Sequence, residues 1–129
     1  MSEVTVTVPA RPEFVHVLRS VVATVAARAD LTYDEIDDLR LAVDEACAQL
    51  LALPAASMTL AMKLAALDDG GLVVVVTSDA ESPAWPPPGA ERTLTWQVLA
   101  ALADEARFEE VEGHPALRLI KRRQPAPAR

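Results

Sequence analysis

The sequence predicts an α+β fold with a single core, and three observations carry that prediction. Val4, Val6 and Val8 alternate with Thr5 and Thr7, the two-residue period of a half-buried strand. Thr32 and Glu35 stand three apart ahead of an apolar-periodic stretch, the signature of a capped helix. Met58, Leu60, Met62 and Leu64 alternate with smaller or polar residues, and Asp68-Asp69-Gly70-Gly71 then leads into Val73–Val76, which reads as a hairpin.

Each element follows in chain order. Pro9 stops the first strand, and Pro12 suits the first turn of a helix carried by Phe14, Leu18, Val21, Val22 and Val25, ending near Asp30. In the second helix Ile36, Leu39, Val43, Ala46, Cys47 and Leu50 form a stripe of roughly 120° at about 100° per residue, and Pro54 ends it. Between Asp79 and Arg92 the chain holds Pro83, Pro86, Pro87, Pro88 and Gly89, which forbids a regular helix or central strand and predicts a stiff exposed loop. Leu94, Val98, Leu99 and Leu102 predict a third helix running to about Glu105. A second hairpin follows, from Arg107 to Glu112 and from Ala116 to Arg122, turning at Gly113-His114-Pro115. Residues 1–123 therefore read as one domain and Gln124–Arg129 as a frayed tail.

Composition narrows the function. With 129 residues, 51% of them hydrophobic, the chain supports one core and not two. The one cysteine, Cys47, excludes an internal disulfide, and with only His16 and His114 as imidazoles no side-chain metal site is expected. A start at Met1-Ser2-Glu3 lacks the basic residues of a signal peptide, and no apolar run has bilayer length, so a cytoplasmic protein without membrane contact is expected. A net charge of -7 repels phosphate backbones, so direct nucleic-acid binding is not expected.

The stretch Leu39-Arg40-Leu41-Ala42-Val43-Asp44-Glu45-Ala46-Cys47-Ala48-Gln49 resembles the N-box helix of RsbW-type anti-sigma kinases, and Trp96 to Ala106 resembles the helix after that family's second glycine box. The order of elements is also that of the GHKL (Bergerat-type) ATPase fold. The resemblance covers about residues 3 to 122. It implies a two-layer α/β sandwich with a mixed, mostly antiparallel sheet and helices on one face. It also implies a sigma factor and a STAS-type anti-anti-sigma factor as partners, ATP and Mg²⁺ as cofactors, and allows a homodimer.

Carried over residue by residue, the family's catalytic acid falls on Glu45, whose plainer reading is a solvated acid opposite the core stripe. Gln49 replaces the Mg²⁺-holding Asn with a side chain one methylene longer. Asp79 matches the acid that binds the adenine amino group, yet it also suits an ordinary strand-ending turn. The glycines after it are replaced in Asp79-Ala80-Glu81-Ser82-Pro83, where Glu81 and Pro83 should crowd the pocket. Thr93-Leu94-Thr95 replaces the Gly-x-Gly that takes the phosphates, and β-branched Thr93 and Thr95 resist positive φ. ATP and Mg²⁺ binding is therefore expected to be weak or absent.

Arg19 occupies the place of a family contact to the sigma factor, and it also reads as a solvated charge on an amphipathic helix. Trp85, among prolines, is expected to dock either on the domain or on a partner, while Trp96 and Cys47 belong to the core. Phe14 and Val17 are secondary contact candidates; His16 and His114 carry no recognisable site. The expected function is sequestration of a sigma factor, relieved by a STAS-type antagonist. The alternatives are an active Ser/Thr kinase acting on that antagonist, with Glu45 as base, and an adaptor of the same fold for another partner.

Overall fold

In the computed structural model the described residues are 2–54, 56–81 and 84–124. Strand β1 (Glu3–Pro9) leads through a 3-10 turn at Pro12–Phe14 into helix α1 (Val15–Arg28) and then helix α2 (Tyr33–Leu51). Strands β2 (Thr59–Ala66) and β3 (Gly71–Ser78) form the first hairpin. Helix α3 (Leu94–Leu102) precedes the second, β4 (Glu105–Val111) and β5 (His114–Arg122). The sheet order is β1-β2-β3-β5-β4, and every pairing among these strands is antiparallel, in keeping with the mostly antiparallel sheet that the resemblance implied.

Register decides which side chains meet the helices. Leu60, Met62 and Leu64 on β2 stand opposite Ser78, Val76 and Val74 on β3, and Val76 and Val74 stand opposite Leu117 and Leu119 on β5. All are buried, so alternate residues across three strands make one apolar floor. Helix α2 lies over its centre, lowering Leu39, Ala42, Val43, Ala46, Cys47 and Leu50 onto it, and packs against α1 on one side and α3 on the other. The expected stripe is correct except that Ile36 is only partly buried and Ala42 joins the core.

The capping box is formed: Glu35 N–H donates to Thr32 Oγ1 at 3.2 Å, and Thr32 N–H donates to Glu35 Oε1 at 2.7 Å. Glu35 is also buried, and its Oε2 accepts from Gln124 N–H at 2.9 Å, so the first residue of the expected tail is tied to α2. Residues 125–129 lie outside the described residues. Burial alone raises the Glu35 pKa, but the Thr32 and Gln124 amides, the Thr32 hydroxyl and the nearby Lys121 charge outweigh it and leave it lowered.

Two boundaries differ from expectation. Helix α3 stops at Leu102 rather than near Glu105, because Ala103 is extended, Asp104 N–H donates to Ile120 O at 2.8 Å, and Glu105 already pairs with Ile120 in the sheet. The second hairpin turns at Glu112-Gly113, both at positive φ (53° and 81°), so Val111 faces His114 directly. Such a two-residue turn matches strand twist, and His114 and Pro115 thereby belong to β5. In the first hairpin, a Cβ at Gly71 would collide with the Lys121 carbonyl, which requires glycine there.

Lys121 lies on the helix-facing side of β5 and is buried. Its Nζ donates to Leu102 O at 2.9 Å and to Asp38 Oδ2 at 3.2 Å, joining β5, the end of α3 and the start of α2. Lys121→Met keeps the apolar stem and removes the donor to the Leu102 carbonyl. The expected loss is about 1–3 kcal/mol, the cost of a buried polar group left unpaired, measured as a lower urea midpoint at constant slope.

Candidate functional site

The polar side of α2 carries two of the candidate residues. Glu45 and Gln49 are four apart on α2 and both half-buried. The Gln49 Nε2 is enclosed and has no hydrogen-bond partner among the described residues. Leu41 and Ala48 on the outer flank of Glu45 are exposed, while Ala42 is buried. The acid therefore sits at the edge of the packed layer.

At the start of α3 the hydroxyl of Thr93 is fully engaged. It accepts from Trp96 N–H at 3.1 Å as the helix N-cap and donates to Ala90 O at 2.8 Å. The backbone at Thr93 is extended, with φ -77° and ψ 154°, and the residue with positive φ in this segment is Gly89, at 75°. Thr95 is half-buried in the first turn. Residues 93–95 thus form an ordinary capped helix start.

Asp79 has a different task. Its Oδ1 accepts from Met58 N–H at 2.8 Å, Thr59 N–H at 3.1 Å and Ser57 Oγ at 3.0 Å, bracketing the chain that enters β2 to the end of β3. Ser57 Oγ also meets buried Ser78 Oγ at 2.8 Å. Burial acts to raise the Asp79 pKa, but the two amides and the hydroxyl prevail and lower it. The cavity Asp79 lines, about 470 Å³, is on the sheet face away from the helices, beside Thr77, Glu109, Glu112 and His114. It includes none of Glu45, Gln49, Thr93 or Thr95, so the candidate nucleotide residues are not gathered around one space there. Pro83, expected to crowd this region, lies outside the described residues; Glu81 is exposed.

Trp85, a candidate partner contact, is instead buried within the domain at 8% exposure. Its Nε1 donates to Glu109 O at 2.9 Å, and its ring meets Phe108 edge-on at 5.2 Å while Trp96 stacks on the same ring at 4.5 Å. Nearby, the His114 Nδ1–H donates to Ala80 O at 3.1 Å. Cys47 is buried with its thiol pushed up to about 12, chiefly by burial and then by the Asp44 charge, so it is inert at neutral pH.

Arg19, on α1, is half-exposed, and its Nε lies 3.0 Å from Asp44 Oδ1, near enough for an ion pair but not aligned as a hydrogen bond. Asp44 was not a candidate in the sequence, because nothing local links residues 25 apart. The signal for Ser57 was equally absent, since its partners Ser78 and Asp79 arrive only through the β2–β3 register.

The lowered Asp79 pKa fixes a sign. Its contribution to stability is present above the unfolded aspartate value of about 3.9 and is lost as pH falls through the lower folded value. Asp79→Asn keeps an acceptor without the charge, so it should melt lower than wild type at pH 7. The gap should narrow as the pH falls toward 3, in thermal melts from pH 7 to 3. A gap that stays constant with pH would remove the charge from the bracket.

Residues 8–121 match the histidine kinase-like ATPase domain. The anti-sigma-F factor RsbW of Mycobacterium tuberculosis (strain H37Rv) is 36% identical over 102 residues, covering 78% of this chain and 57% of that protein. The serine-protein kinase RsbW of Bacillus subtilis (strain 168) is 55% identical over 40 residues, 31% of this chain and 25% of that protein. The chain thus spans between a quarter and about three-fifths of these relatives. The crystal structure of the RsbU and RsbW domains of a Mycobacterium tuberculosis protein superposes with a TM-score of 0.73 at 17% identity, over 98% of this chain and 34% of that one. With the match running from β1 to β5 over nearly the whole fold, the chain belongs to the histidine kinase-like ATPase domain family.

Proposed function

We propose that this domain is the binding unit of an anti-sigma factor: it sequesters a sigma factor in the cytoplasm and gives it up when a STAS-type antagonist competes. The observation that supports this most is the engagement of Thr93. The hydroxyl that stands where the family has a phosphate-cradling glycine is committed to capping α3. The bracket held by Asp79 adds to it. The donors present fit ATP and Mg²⁺ poorly, so binding of that pair is weak or absent. Inhibition then needs only surface. A folded unit over residues 1–123 covers part of the sigma factor, and Arg19 on α1 is the charge that meets it.

One observation favours a second reading, a residual kinase acting on the antagonist. Gln49 Nε2 is enclosed without a partner beside half-buried Glu45, which leaves a polar group free for a ligand. The relative from Bacillus subtilis is named a serine-protein kinase.

The two readings separate in one experiment. Purified wild type and Glu45→Ala are titrated against the purified sigma factors of the native host, then incubated with labelled ATP and a STAS protein. The expected result is equal sigma binding by both and no phosphate on the STAS protein from either, with folding unchanged because Ala is the better helix former. Phosphate transfer by wild type that disappears in Glu45→Ala would establish the kinase reading instead.

A further inference from the structure

Helix α1 presents a surface unlike the rest of this acidic chain. From Val15 to Arg28 it has no acidic residue, and its exposed side carries His16, Ser20, Thr24 and Ala27, small or neutral groups around the single central cation Arg19. Helix α2 beside it is rich in acid, and Asp44 reaches across to Arg19. The contact is imperfect. Arg19 Nε is shielded from water yet donates no aligned hydrogen bond, although Asp44 Oδ1 is only 3.0 Å away. The guanidinium therefore keeps donors in a planar fork, with its side chain 37% exposed, and a second carboxylate from outside would satisfy them better.

We propose that Asp44 is an internal competitor for Arg19, which sets how tightly a carboxylate-bearing segment of the sigma factor is held at the α1 face. The inference rests on the assignment of α1 as the sigma-facing surface and adds to it a residue that opposes binding. In the free domain Asp44 partly neutralises Arg19. On docking, the incoming carboxylate either displaces Asp44 or shares the cation with it, and in both cases the negative charge of Asp44 lowers the affinity. The state of Asp44 itself agrees with a replaceable partner: burial raises its pKa, and Arg19 and Arg40 only partly offset that.

The consequence is an affinity that improves when a native ion pair is removed. Isothermal titration uses the sigma factor bound most tightly by wild type among the purified sigma factors of the native host. Asp44→Asn should bind it about two- to fivefold more tightly, the size set by a half-exposed pair, and the gain should shrink in high salt. Arg19→Ala should bind more weakly, and adding Asp44→Asn to it should change nothing further. Asp44→Ser serves as a second variant if Asn perturbs folding, with melting temperatures recorded for all.

The outcomes separate the two levels. Weakening by Arg19→Ala with no gain from either Asp44 variant overturns the competitor role and leaves the α1 surface in place. Unchanged binding by Arg19→Ala, or no sigma factor bound by wild type or Asp44→Asn, overturns the α1 assignment and the competitor role with it.

Discussion

The aromatic contact between Trp85, Phe108 and Trp96 ties the proline segment and the start of α3 to the edge of the sheet. Phe108 projects from edge strand β4, and one tryptophan packs on it from the proline segment and the other from α3. Three rings with offset and edge-on geometry bury large apolar areas and hold orientation as well. The Trp85 Nε1 bond to Glu109 O adds a directional tie. The segment anchored in this way leads to Thr93, whose hydroxyl caps α3.

Two charged arrangements in the helix layer show contrasting physics. The Glu35 and Lys121 groups are both buried and well supplied: Glu35 accepts from two backbone amides, and Lys121 donates to a carbonyl and a carboxylate. Buried charges persist only when paired and hydrogen-bonded, and these join the first turn of α2, the last turn of α3 and the end of β5. The Arg19–Asp44 pair lies nearer the surface and leaves a shielded N–H without an aligned acceptor. One arrangement is suited to holding the fold and the other to being exchanged.

Much of this was legible in the residues because it rests on local rules. The capping box at Thr32 and Glu35, the core stripe of α2 and the alternation of β2 each depend on neighbours within a few positions. What escaped depends on contacts across the sheet. Lys121 sits in the basic run Lys121-Arg122-Arg123 and looks solvated, yet the alternation of β5 turns it inward beneath α2. Asp79 reads as a turn residue or an adenine ligand, and only the β2–β3 register shows it bracketing Met58 and Thr59. Helix α3 ran too long in the sequence because Leu102 to Glu105 has no breaker; the pairing of Glu105 with Ile120 ends it. The family boxes placed Glu45 and Gln49 together on α2, but spacing within a helix says nothing of whether Asp79 joins them.

The proposed binding function rests on Thr93 and Asp79 being engaged in capping α3 and in bracketing the entry to β2. Calorimetric titration of the purified domain with ATP and Mg²⁺ tests it most directly. The account predicts no heat below millimolar nucleotide, roughly the level where binding free energy falls to about 4 kcal/mol. A micromolar dissociation constant that is lost in Gln49→Leu, a variant that removes the enclosed amide without touching the fold's hydrogen bonds, would contradict it.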